Sequence, residues 1–209
     1  MSEEKRNIKQ AKTRSTLDSI EKIHPHKMIL YLFILGSSIV FTFMLLAYSF
    51  NQPENSLYEF AFPRVFIFSV ILMLISSFSL SHMGYAVEKE NLKGVRRYLI
   101  ITFLLGISFA VCQYIGWQEL NQQGLFLAGK AAPTYLYVIT GLHLAHFISA
   151  MIFVAINAID VFRFEKDPVK VLIFVTNPYE KTKLEIVNIY WQFLNVLWLV
   201  LFFYFLYSL

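Results

Sequence analysis

Five stretches without a single charged residue divide this 209-residue sequence and constrain its fold more than any other feature. They are Met28 to Pro53, Val65 to Val87, Tyr98 to Gln118, Ala131 to Ile159 and Ile186 to Leu209. A helix needs about 20 apolar residues to cross the hydrocarbon of a bilayer, and each stretch is at least that long. Membrane-spanning strands would alternate apolar and polar residues, which these stretches do not do. The sequence therefore predicts an all-α, polytopic membrane bundle with five transmembrane helices.

Composition supports this class, because 57% of the residues are hydrophobic and only 15% are charged. We expect one transmembrane domain over residues 28–209. Its spans should cover about residues 28–50, 65–87, 98–118, 133–158 and 186–207. Residues 1–27 are polar and carry both signs of charge, which predicts a cytoplasmic tail and not a cleaved secretory leader.

The basic residues predict the orientation of the bundle. Of the 18 Lys and Arg residues, 16 precede the first span or fall between the second and third or the fourth and fifth spans. Only Arg64 and Lys130 fall on the other side. The positive-inside rule then places the N-terminus inside and the C-terminus outside. This asymmetry accounts for the net charge of +4, so no nucleic-acid partner is expected.

The links between the spans carry further expectations. Most are short, so successive helices should be antiparallel neighbours. Pro133 suits the start of the fourth helix. The run VKVLIFVTNP at 169–178 predicts a strand or a segment lying along the membrane interface. The lone cysteine, Cys112, lies inside the third stretch and is expected only to pack.

Two histidines lie near the middle of the fourth stretch, in the run TGLHLAHFISA. His143 and His146 are three residues apart and so share a helix face. Three interpretations compete: hydrogen-bonded packing between helices, axial ligation of a haem, and a proton relay or metal site. Gly141, Ala145 and Ser149, spaced by four, predict that a neighbouring helix approaches closely.

The fifth stretch offers a polar surface to meet those histidines. Asn188, Gln192 and Asn195 fall at i, i+4 and i+7 and form one stripe, with Trp191 and Trp198 in a second stripe beside it. We expect Asn195 near the depth of His146, and the amides hydrogen-bonded to the imidazoles. The tryptophans are expected to pack against other helices or to contact lipid.

No Asp or Glu occurs inside the five stretches, which argues against a transporter. Glu119 lies only at the edge of the third stretch, where Gln113 is the deepest polar residue. Four serines of the second stretch are expected to return their hydroxyls to their own helix backbone: Ser69, Ser76, Ser77 and Ser79.

Four segments together resemble subunit III of the haem-copper terminal oxidases. TGLHLAHFISA is similar to the Gly-x-His-x-x-His signature of the family's penultimate helix, and YWQFLNVLWLVLFFY, 190–204, is similar to its closing helix, typically Tyr-Trp-His-Phe-x-Asp-x-x-Trp. LIITFLLGISFAVCQYIGWQEL and GSSIVFTFMLLAY resemble two earlier helices. The resemblance covers about residues 26–209, and a five-helix form is known among bacterial members of the family.

The resemblance implies an accessory subunit of the aerobic respiratory chain, without a catalytic site or metal of its own. Haems and copper would reside in subunits I and II, with this chain packed on subunit I, holding phospholipid and supporting proton uptake in the bacterial cytoplasmic (inner) membrane. The sequence departs from the family pattern at three positions. Gln192 and Asn195 stand where the closing helix has His and Asp, and a buried carboxylate of the first helix is replaced at about Ser38.

Two rival functions make different predictions. A haem-binding membrane anchor of a quinone-linked dehydrogenase would use His143 or His146 as an axial ligand. A small-solute transporter would act in liposomes without partners.

Overall fold

The computed structural model describes residues 25–51, 63–125, 131–167, 171–172, 174 and 177–208. Five long helices make up nearly all of this: α1 Pro25–Phe50, α2 Val65–Glu88, α3 Leu92–Gln122, α4 Ala131–Glu165 and α5 Pro178–Ser208. Each is long and apolar enough to cross a membrane. The predicted all-α bundle of five transmembrane helices is confirmed, and no strand occurs in the described ranges. Most of the expected tail, residues 1–24, lies outside them.

Several helices run beyond the charge-free stretches. α3 begins at Leu92, before Tyr98, and α5 begins at Pro178, before Ile186. α4 starts two residues ahead of Pro133, which occupies the first turn, where a missing backbone N–H is harmless. Residues 171–172 and 174 are helical, so the prediction of a strand across 169–178 is wrong for the part that the structure describes.

The packing order only partly follows the chain. α2 and α3 form an antiparallel hairpin whose turn is capped by Asn91, since its side chain accepts a hydrogen bond from the Gly94 N–H at 3.0 Å. α3 then packs on α4, and α5 contacts both α2 and α4. α1 packs mainly against α4 and α5. The expectation that successive helices are neighbours therefore fails for α1 and α2.

Ion pairs gather at one end of the bundle, which we call the charged end. They join α1 to α5, α3 to α4 and α4 to α5: Lys27 to Glu185, Arg96 to Glu165 at 2.5 Å, and Lys183 to Asp160 at 2.6 Å. At the opposite end the Tyr204 hydroxyl of α5 donates to the Leu45 carbonyl of α1 at 3.1 Å. α1 and α5 therefore run parallel to each other.

The helices meet closely where glycines remove a side chain from the contact. A Cβ on Gly116 of α3 would lie 2.6 Å from the ring of Phe66 on α2. That ring is buried and meets Trp198 edge-on, so it has little freedom to move away. The sequence places glycine here because no larger residue fits between the two helices.

Gly116→Ala is expected to destabilise the bundle by about 1–3 kcal/mol, because the added methyl group must displace Phe66. The measurement is the thermal unfolding midpoint of the purified protein. Gly36→Ala is the matched control, since a Cβ there meets nothing within 4 Å. Equal midpoints for the two variants would contradict the close approach.

Candidate functional site: the buried polar core

His143 lies at the meeting point of α3, α4 and α5 and is fully buried. Its ring stacks on the Trp198 ring of α5, with centroids 5.1 Å apart and planes at 23°. Phe109 of α3 meets the imidazole edge-on at 6.1 Å. An aromatic enclosure therefore surrounds this histidine in the middle of the bundle.

His146 has different neighbours, although it is only one turn further along α4. Its Nδ1 lies 2.8 Å from the Leu142 carbonyl and its Nε2 lies 3.2 Å from Ser37 Oγ on α1. A carbonyl can only accept, so Nδ1–H is the donor there, and Nε2 of the neutral ring accepts from the Ser37 hydroxyl. Phe33 and Phe41 of α1 also lie against the ring, each at 5.6 Å. His146 therefore joins α4 to α1.

The amides of α5 do not bind the histidines, so the predicted amide–imidazole bonds are wrong. Gln192 bonds to α2: its Oε1 accepts from the Ser77 hydroxyl, and its Nε2 donates to the Ser77 carbonyl at 3.0 Å and to Ser81 Oγ at 2.9 Å. Gln192 Nε2 also lies 3.3 Å from Asn188 Oδ1. Asn195 donates to the Trp191 carbonyl of its own helix at 2.8 Å.

The two tryptophans lie where α5 meets both α4 and α2. Trp191 and Trp198 are buried, and their rings contact Phe147 at 5.2 Å and His143 at 5.1 Å on α4. Their indole N–H groups reach α2, as Gln192 does. Both tryptophans lie inside the bundle and contact other helices, not the lipid-facing surface.

Serines of α2 receive the indole N–H groups, a role that the sequence did not reveal. Trp198 Nε1 donates to Ser69 Oγ and Trp191 Nε1 to Ser76 Oγ, each at 3.2 Å. Ser69 also accepts from Gln113 Nε2 of α3 at 3.4 Å. The indication available in the sequence was the matching seven-residue spacing of the serines and the tryptophans.

The expectation for the serines holds for two of the four. Ser69 and Ser76 donate to carbonyls of their own helix at 2.7 and 2.8 Å. Ser77 bonds to Gln192, and Ser79 donates to the Tyr98 carbonyl of α3 at 3.4 Å, so both were predicted wrongly.

One further link between helices was also missed. The Tyr190 hydroxyl of α5 lies 2.8 Å from Ser149 Oγ and 3.2 Å from the His146 carbonyl on α4. Ser149 belongs to the stripe of small residues, and Gly141 of that stripe lies 4.0 Å, measured from its ideal Cβ position, from the Trp117 ring of α3. The stripe therefore faces two neighbouring helices.

The two imidazoles differ in what their nitrogens meet. Both nitrogens of His146 have hydrogen-bond contacts, whereas the nitrogens of His143 have none among the described residues and its ring packs on Trp198. Among the described residues no group of three or more His, Cys, Asp or Glu side chains could hold a metal ion. The hydrogen bonds of His146 and Gln192 join neighbouring helices.

Five apolar helices around a core of hydrogen-bonded serines, amides and tryptophans define a polytopic helical membrane protein. Residues 26–208 match the family model described as cytochrome c oxidase subunit III. The chain belongs to this family, as the resemblance of its helices had indicated.

Three proteins to which this chain is similar are each named as subunit 3 of an oxidase. The probable cytochrome c oxidase subunit 3 of Mycobacterium tuberculosis strain H37Rv is 29% identical over 64% of this chain, and the match covers 61% of that relative's length. The cytochrome bo(3) ubiquinol oxidase subunit 3 of Buchnera aphidicola subsp. Schizaphis graminum is 23% identical over 83% of this chain and 88% of the relative. The cytochrome c oxidase subunit 3 of Thermostichus vulcanus is 23% identical over 91% of this chain and 92% of the relative.

Proposed function

We propose that this chain is the accessory subunit III of a haem-copper terminal oxidase in an aerobic respiratory chain. It packs on the catalytic subunit I, in a complex that also contains subunit II, and it has no catalytic residue. The haems and copper are held by those partners. The observation that carries this proposal is the family match, which extends over residues 26–208 and so includes all five helices.

The proposed location is a bacterial cytoplasmic membrane, with the N-terminus of the chain inside. Support comes from the charged end, where Lys27 near the start of α1 pairs with Glu185 of α5, and Lys183 near the start of α5 pairs with Asp160 in the last turns of α4. The basic residues that flank this end are those that the positive-inside rule places in the cytoplasm.

The polar core has a structural role in this proposal. His146 joins α4 to α1 and Gln192 joins α5 to α2. Asn188 lies beside Gln192, Asn195 is buried on α5, and His143 packs between α4, α3 and α5. Hydrogen bonds of this kind hold membrane helices together without a hydrophobic driving force between them. A fixed bundle can then offer the catalytic subunit a surface of constant shape.

The outer surface supports contact with lipid and partner. Large apolar side chains point outward along every helix, and α1 is the least buried of the five. We propose that phospholipid and subunit I share this surface. This chain then assists proton uptake only indirectly, because the neutral amides of Gln192 and Asn195 do not gain or lose protons.

The double substitution His143→Leu and His146→Leu tests the assignment. The haem absorption spectrum of the purified oxidase should stay unchanged, while less of this subunit should remain bound after washing in mild detergent. The reason is that both imidazoles contact other helices of this chain. A retention assay by quantitative mass spectrometry measures the loss.

The control is Phe203→Leu, at an exposed position of α5. It should affect neither haem absorption nor retention. Loss of haem absorption in the double variant would contradict the proposal and favour the haem-binding anchor.

A further inference from the structure

Six buried side-chain polar atoms have no hydrogen-bond partner among the residues that the structure describes, and four of the six belong to three side chains of the core. These four are His143 Nδ1 and Nε2, Gln113 Oε1 and Asn195 Oδ1. The three side chains are 0%, 1% and 3% exposed. Buried polar atoms in membrane proteins are almost always hydrogen-bonded, because no solvent in the hydrocarbon can compensate.

The contacts of Trp198 bring His143 and Gln113 to one place. The His143 ring stacks on the indole, and the indole N–H donates to Ser69 Oγ. Gln113 Nε2 donates to that same Ser69 oxygen. His143 therefore touches the indole directly, and Gln113 is linked to the same indole through Ser69.

Asn195 reaches the same region from α5. It lies on the helix face between Trp191 and Trp198, which contact Phe147 and His143, respectively, one turn apart on α4. Its amide nitrogen is already bonded to the Trp191 carbonyl, so its oxygen is the free group. Side chains of α3, α4 and α5 thus bring unused polar atoms to the surroundings of Trp191 and Trp198.

The numbers of donors and acceptors identify the missing partner. A neutral imidazole supplies one N–H donor and one acceptor nitrogen, and the two amide oxygens supply two more acceptors. The site therefore holds three acceptors and one donor, an imbalance that these groups cannot resolve among themselves. One water molecule can accept from the imidazole N–H and donate to both amide oxygens, so it satisfies three of these four atoms.

We infer that the bundle binds an internal water molecule between His143, Gln113 and Asn195. The water bridges α4 to α3 and α5 at a depth where the bundle is otherwise aromatic. This gives His143 a role distinct from that of His146, which is satisfied by Ser37 and its own helix. The inference rests on the contacts of this chain and does not depend on the proposed oxidase.

High-resolution electron cryo-microscopy of the intact complex, or of the full chain in nanodiscs, tests this directly. Density for a water should appear at roughly 3 Å from a ring nitrogen of His143 and from Gln113 Oε1 or Asn195 Oδ1. A core without such density, or with His143 bonded directly to either amide, would overturn the inference.

A double-mutant cycle gives a second test on the full chain. Gln113→Leu should shorten the half-life of the folded protein at elevated temperature several-fold when it is made in the parent protein. The same substitution should shorten it much less when His143→Leu is already present. The reason is that either substitution alone removes the bridging water. The same dependence is expected between Asn195→Leu and His143→Leu.

Thr102→Val is the matched control for this cycle. The Thr102 hydroxyl is also buried without a partner among the described residues, but it lies eleven residues from Gln113 on α3, roughly 16 Å along the helix. Thr102→Val should change the half-life at elevated temperature by the same factor with and without His143→Leu. Independent effects for Gln113 and Asn195 as well would overturn the inference.

Discussion

Trp198→Ala should destabilise the bundle by about 3–5 kcal/mol, the range typical of a buried aromatic residue cut to alanine. The substitution removes the ring that stacks on His143 and also contacts Phe66 and Phe109. It also leaves Ser69 without the indole donor. The thermal unfolding midpoint of the purified protein should fall by many degrees, and circular dichroism can follow it.

Phe203→Ala is the control for this prediction. It removes an aromatic ring of comparable size from the same helix, but that side chain is 60% exposed on the outer surface. Its expected effect is within about 1 kcal/mol, because in a membrane the ring exchanges contact with lipid and not with the core. Similar midpoints for the two variants would contradict the position of Trp198 in the core.

Ser69→Val should destabilise the protein by about 2–4 kcal/mol. Valine puts a methyl group in place of the hydroxyl and adds a second one, so the effect comes from lost hydrogen bonds and crowding and not from a cavity. Valine cannot accept the Trp198 and Gln113 donors, and an unsatisfied buried donor costs about 1–3 kcal/mol. Denaturant-induced unfolding in mixed micelles measures the difference.

Ser108→Val is the matched variant for the serine test. The Ser108 hydroxyl donates only to the Leu104 carbonyl of its own helix and lies on the exposed side of α3. It should change stability by less than about 0.5 kcal/mol. A Ser69 variant as stable as the Ser108 variant would show that Ser69 does not hold α2, α3 and α5 together.

The number and class of the helices could be predicted from the sequence because charge is so strongly excluded from the hydrocarbon. The ends of the helices were harder to predict. Charged residues near the starts of α3 and α5, such as Arg96 and Lys183, are helical although they lie outside the charge-free stretches, and both form ion pairs with α4. A charge-free stretch therefore underestimates the length of its helix.

The partners of the polar residues were harder to predict. A stripe such as Asn188, Gln192 and Asn195 shows that one side of α5 is polar, but it does not show which neighbour that side meets. The Trp191 and Trp198 rings pack on α4 and also donate to serines of α2, so their bulk has to fit between three helices. Volume complementarity between distant helices is not visible in one sequence.

The histidine pair shows the same limit. Spacing places His143 and His146 on one face of α4, yet that face meets two different helices. The small rotation between the residues directs His146 to Ser37 of α1 and His143 to Trp198 of α5. One sequence motif therefore contributes to two interfaces.

The most direct test of the central claim is to identify by mass spectrometry the proteins that copurify with this chain in mild detergent. We predict that the catalytic and electron-accepting subunits of a haem-copper oxidase are recovered with it in equal amounts. Recovery of this chain with the soluble subunits of a dehydrogenase, or without any partner, would contradict the account.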